Sequence, residues 1–194
     1  MANIDRPNGF KFAKSLTGQA PNAMIRKYTA ADRSADTTNN HGDIYIGDAV
    51  KLVSGLVLPA NSGDTILGVC VGIGKEGAIE HGSTGYFNAD ALDVRFATLA
   101  DATGLIVAVM PAEGNIFEIQ TAADLDLVAG SVADIHVDAT EAHGSRTTGN
   151  SSTELVTNVN SDCKVVEDVT TPDNDTTLTN ARHLVKFVTT ENTL

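Results

Sequence analysis

Apolar residues that recur at every second position, in short runs closed by Gly, Asn or Asp, dominate the chain beyond residue 43 and leave few architectures open to it. A period of two is that of a β-strand, whose successive side chains point to opposite faces. Leu67, Val69, Val71 and Ile73 share one face of such a run, with Gly68, Cys70 and Gly72 on the other. That second face is small enough for another backbone or layer to approach it closely. Ile44-Tyr45-Ile46 runs into Gly47-Asp48, and the pattern resumes at Val50, Leu52 and Val53, as paired strands or a bulge require. Leu92, Val94 and Phe96 alternate with Asp93 and Arg95, and Leu105 to Met110 and Ile116 to Ile119 read as further strands. Ile135 and Val137 alternate with Asp134, His136 and Asp138, which predicts a half-buried strand with a wet face. Leu155 to Val159, Cys163 to Val169 and Arg182 to Thr189 supply the last strands, after exposed loops at 144–153 and 170–180. No long amphipathic helix is evident; Ala122 to Ala129 is the one weak candidate, and Leu125 and Leu127 suit a strand as well. The expected fold is mainly β, a barrel or sandwich body over 43–194.

Residues 1–42 read differently. They hold no sustained period and are broken by Pro7-Asn8-Gly9, Gly18, Pro21-Asn22 and the polar run Ser34 to Asn40, which predicts an extended arm. Phe10, Phe12, Leu16, Met24, Ile25 and Tyr28 make that arm too apolar to stand free in water. Charge divides the chain at the same place. The net charge is −12 over 194 residues, yet residues 1–33 carry six basic groups against two acidic ones, +4, and the remainder −16. A basic arm on an acidic body suits an acidic protein surface or a sister subunit. Nucleic acid is disfavoured, because the body would repel a duplex and no aromatic platform accompanies the arm. The apolar runs fall short of the roughly 20 residues of a membrane span, and the opening lacks the apolar core of a signal peptide, so neither membrane insertion nor secretion by that route is expected.

Motifs that carry chemistry fail on inspection. The glycines of GVCVGIGKEG resemble a phosphate loop, but Lys75 is followed by Glu76, not Ser or Thr, and no helix pattern begins there. Asp134, His136 and Asp138 would share a strand face and could in principle ligate a metal, although alternation alone produces such a solvated face. Asp173-Asn174-Asp175 lacks the Gly and the later Glu of a calcium loop and reads as turn chemistry. Ser83, Ser151 and Ser152 have no nucleophile elbow, and no motif ties His41, His81, His143 or His183 to them. Cys70 and Cys163 fall in strand-like segments without C-x-x-C spacing and read as core residues. No enzyme activity, cofactor or metal is expected.

The opening MANIDRPNGFKFAKSLTGQAPN, the segment GDIYIGDAVKL and the strand LGVCVGI resemble a family of tailed-bacteriophage virion proteins that accompany the major capsid protein. The plan of that family is an M-A-N-x-D-R-P-x-G start, a polar arm and an I-x-x-G-D-x-V strand. Leu99 to Asp101, NIFEIQ at 115–120, Ala133-Asp134-Ile135 and the terminal HLVKFVTTENTL are also similar to it, so the resemblance spans nearly the whole chain, with a longer 34–43 region. It implies a capsid decoration or cement protein on the outer surface of the virion, with the phage major capsid protein as partner. Capsid symmetry makes a homotrimer the first oligomer to expect. On this reading the capsid-binding arm presents Arg6, Phe10, Lys11, Phe12, Lys14, Leu16, Arg26, Lys27 and Tyr28, and a body lacking residues 1–33 should still fold. A β module that binds host-surface glycans is the alternative, marked by a concave polar and aromatic site.

Overall fold

A computed structural model describes residues 3–31, 43–75, 96–97, 104–136, 144–145 and 148–191. The described chain is almost entirely β. In order its first elements are β1 (Lys11–Ser15), α1 (Pro21–Met24), β2 (Arg26–Thr29), β3 (Ile44–Tyr45), β4 (Ala49–Val53), β5 (Leu56–Pro59) and β6 (Gly68–Lys75). There follow β7 (Phe96–Ala97), β8 (Leu105–Pro111), β9 (Asn115–Gln120), β10 (Val132–His136), β11 (Glu154–Val156), β12 (Cys163–Asp168) and β13 (Arg182–Phe187). One antiparallel sheet runs β1-β9-β13-β12-β10-β11, a second β2-β8-β6-β4-β5, and β3 pairs with β7.

Both larger sheets curl back on themselves. In the first, Thr121 just beyond β9 bridges Leu155 of β11, where the Ala122 N–H donates to the Leu155 carbonyl at 3.0 Å. In the second, Ala30 beyond β2 bridges Val57 of β5, and the Ala31 N–H donates to the Val57 carbonyl at 3.0 Å. Each closure is one isolated bridge instead of a ladder, so the body is sandwich-like and not a closed barrel. Two apolar clusters result. Phe10, Phe117, Phe187, Ile119, Leu155 and Val185 anchor one, joined by Val69 and Met110 from the second sheet. Val50, Val57, Leu67, Ile73, Val107 and Val109 build the other.

The central strand β6 corrects the simple alternation expected of it. A bulge between Cys70 and Gly72 shifts its register against β8. Val69 and Val71 therefore pack on the first cluster while Cys70 and Ile73 enter the second, since one extra residue inverts which face a side chain takes. The small face has its predicted use at Gly68, where a Cβ would collide with the Met110 carbonyl.

The N-terminal segment, read from the sequence as an extended arm over 1–42, contributes strands to both larger sheets where it is described. β1 is an edge strand of the first sheet, β2 an edge strand of the second, and α1 lies between them, with Pro21 in its first turn. Phe10 is 3% exposed and its ring lies tilted against Phe187, with centroids 4.7 Å apart. Its neighbour Gly9, at φ +65°, lies so close to the Gly47 carbonyl that a Cβ would collide with it, and the Phe10 N–H donates to that carbonyl at 2.8 Å. Residues 3–31 thus belong to the fold itself, and a body stripped of residues 1–33 would lack a strand from each sheet. Ala122 to Ala129, the weak helix candidate, contains no helix. Residues 92–95 and the polar run 34–40 lie outside the described residues.

Candidate functional site

The first residues run as a strap across the outer ends of β9 and β13. Asn3 pins the strap: its Nδ2 donates to the carbonyls of Asp175 at 2.8 Å and Thr179 at 2.9 Å, and its Oδ1 accepts the Asp175 N–H at 2.7 Å. The Arg6 N–H donates to Gln120 Oε1 at 3.2 Å, and Gln120 Nε2 donates to Glu154 at 3.0 Å and Asp5 at 3.3 Å. Asn150 Nδ2 donates to Asn8 Oδ1 at 3.2 Å.

Between this strap, β9 and the loop leading into β13 lies a cleft of about 250 Å³, lined among others by Ile4, Arg6, Lys11, Glu118, Asp173 and Arg182. Arg182 reaches Glu118 at 3.4 Å and Asp173 at 2.8 Å, and donates to the Thr171 hydroxyl at 2.7 Å. Thr171 and Arg182 together hold the Asp173 carboxyl below its ordinary range. Lys11 stands opposite Glu118 in the β1–β9 ladder, but the Glu118 carboxylate bonds Arg182 instead. Among the described residues, neither Arg6 nor Lys11 has an ion-pair or side-chain hydrogen-bond partner.

The residues expected to form one capsid-binding arm are divided by the fold. Arg6 and Lys11 meet at the cleft. Lys14 is exposed and pairs with Glu167, while Leu16 is exposed beyond β1. Phe10 is in the core and Phe12 packs half-buried against it, which removes Phe10 as a surface anchor. Arg26 and Lys27 are exposed on β2 in the other sheet, where Tyr28 packs against the second cluster.

Asp134 is not on a wet face, as its alternation with Ile135 implied; it is 3% exposed. Burial pushes its pKa up, but backbone N–H groups of Asn160, Val159, Asp162 and Ser161 donate to it and the net shift is downward. The strand's exposed polar residue is His136, and Asp138 lies outside the described residues. Asp134 therefore organises the 159–162 turn. In the Asp173-Asn174-Asp175 loop, Asn174 Nδ2 donates to the carbonyls of Val169 and Arg182, and Asp175 accepts from Thr177, which is turn chemistry as expected. His183 is buried, with Nδ1 2.9 Å from Asp168. Both cysteines are buried and free, and burial pushes each thiol up, away from the reactive thiolate. Ser83, His41, His81 and His143 lie outside the described residues.

Sequence reasoning assigns Asp48 no role beyond its place in the I-x-x-G-D-x-V segment. It is 3% exposed, accepts the Tyr45 N–H at 2.7 Å and the Thr153 hydroxyl at 3.4 Å, and sits beside Ser151. Burial raises its pKa to about 7 against those hydrogen bonds. A carboxyl whose folded pKa lies above its unfolded value holds its proton longer in the folded chain, so stability falls as pH rises from about 4 to about 7 and is level beyond. Asp48→Asn should remove that slope, worth roughly 3 kcal/mol. Urea unfolding at pH 4.5 and 7.5 measures it; equal slopes for the two proteins would place the titration elsewhere.

The fold and the cleft define a class: a β protein of two rolled sheets laced together by its N-terminal strap, with a polar, mixed-charge groove beside the lacing. No family model, curated protein or solved structure matches the chain.

Proposed function

We propose that the chain is a virion structural protein, a decoration protein that binds the outer surface of a tailed-phage head and stabilises the shell of major capsid protein. One observation carries this reading. The two motifs on which the resemblance rests, R-P-x-G and I-x-x-G-D-x-V, fold onto each other at Gly9 and Gly47, with Phe10 bonded to the Gly47 carbonyl and Asp48 buried behind it. In this chain the two segments thus form a joint that ties the strap to the body. Bridging subunits takes area and shape rather than catalytic groups. A strap already ordered in the body presents its exposed side chains without the entropy cost of ordering on contact.

Cosedimentation with empty expanded heads of the encoding phage tests the proposal. Saturable binding, and heads that withstand a higher temperature with the protein than without, are expected. Heads that pellet without the protein would overturn it. Light scattering of the free protein gives the oligomer, with a homotrimer expected.

A further inference from the structure

We infer that the cleft between the strap and the β13 loop is the docking groove for an extended acidic peptide segment, with Arg6 and Lys11 as its carboxylate-binding groups. The inference rests on the decoration reading for its source, a coat-protein segment, but the chemistry is argued from the cleft itself. Three cationic side chains line it against two carboxylates, a local excess of positive charge in a chain of −12. Both carboxylates, Glu118 and Asp173, are already held by Arg182. That leaves Arg6 and Lys11, unpaired among the described residues, as the charges that meet a ligand. Arg offers a planar fork that suits a carboxylate, and Lys a mobile point charge.

Beside them Ile4 is 56% exposed, an apolar contact for a side chain between the acidic ones. The volume is below the roughly 300 Å³ at which enclosed small-molecule sites begin, which favours a chain lying through the groove. A polyphosphate backbone fits less well, because two cations in a wall that also holds Glu118 and Asp173 do not match its closely spaced charges.

The test uses the full chain and two probes. The first is a capped hexapeptide of alternating Glu and Leu, with its Gln/Leu counterpart as control, titrated while the backbone amide resonances of Ile4, Arg6 and Lys11 are followed by NMR. The Glu peptide should shift them and the Gln peptide should not, and Arg6→Glu/Lys11→Glu should weaken binding at least tenfold. Arg6→Gln/Lys11→Gln, with no reversed charge, serves if the first variant melts early, and Lys164→Glu, an exposed residue of β12 outside the cleft, is the control that should bind normally. The second probe is the empty head. The double variant should cosediment at least tenfold more weakly at low salt, with the difference shrinking as salt rises. No shift with the Glu peptide, equal shifts with both peptides, or displacement to these residues only by a DNA oligonucleotide would overturn the inference. Heads bound equally by wild type and double variant would also overturn it while leaving decoration standing. Heads bound by neither, with the peptide response intact, would instead remove decoration and leave the groove.

Discussion

Asp134→Ala should lower the stability of the folded chain by about 4 kcal/mol, since hydrogen bonds to a charged acceptor contribute roughly 1.5–3 kcal/mol each and do not add fully. The carboxylate receives the N–H groups of Val159 at 2.6 Å, Asn160 at 2.8 Å, Ser161 at 2.8 Å and Asp162 at 3.4 Å. Alanine leaves them without an acceptor, in a turn where Ser161 already holds a positive φ of 63° and Asp162 in turn binds the N–H groups of Gly63 and Ile135. The loss should spread from β10 to the loop at Gly63. Asp134→Asn keeps one acceptor oxygen and should lose about half as much. Acid sensitivity gives a separate reading. With a folded pKa below the ordinary value, the carboxylate's contribution is complete above about pH 4 and is lost as pH falls through the folded pKa. Asp134→Asn should therefore lack that part of acid unfolding. Urea titrations at pH 7 and pH 3 measure both effects, and a loss under 1 kcal/mol at pH 7 would mean that water replaces the carboxylate.

Removing residues 1–33 should abolish cooperative folding, and Phe10→Ala alone should cost about 3–5 kcal/mol. Phe10 lies 4.7 Å from Phe187 and 6.3 Å from Phe117, which itself lies 5.5 Å from Phe187, so alanine opens a hole in the middle of an aromatic cluster. The truncation also takes both edge strands, β1 and β2, together with Met24, Ala30 and Ala31 from the cores. A chain with only about 5–15 kcal/mol of total stability does not withstand that loss. Leu16→Ala is the control: Leu16 is 63% exposed, and surface changes of this kind fall within about 0.5 kcal/mol. Thermal melts followed by near-ultraviolet circular dichroism distinguish the cases. A sharp transition in the truncated protein would show that the strap is dispensable after all.

The strands were legible because alternation is local. Strands at Leu105–Pro111, Asn115–Gln120, Cys163–Asp168 and Arg182–Phe187 overlap the runs 105–110, 116–119, 163–169 and 182–189 that the sequence marks as strands. The N-terminal strands were not, because β1 and β2 are short, polar edge strands with burial on few positions, and nothing within KFAKS or RKYT reveals β9 or β8 as partner. The same limit hid the roles of Asp134 and Asp48. A buried carboxylate and a solvated one look alike in a strand of alternating residues; only the N–H groups of a distant turn, or the backbone at Tyr45, separate them. Of the cleft, Arg6 and Lys11 were read as contact residues. Arg182, Glu118 and Asp173 were not, since their association depends on how three distant stretches cross.

The pinning of Asn3 to Asp175 links positions 172 residues apart. On the ribosome, at about 5–20 residues per second, the strap emerges roughly 10–30 s before its anchor exists. For roughly 5–20 s of that interval, until β9 is made, Phe12 and the backbone of β1 lack their native partners. The strap, made before the strands that hold it, is therefore among the last segments to find its place, and newly made chains pass through a stage in which β1 can pair with a neighbouring chain instead of its own β9.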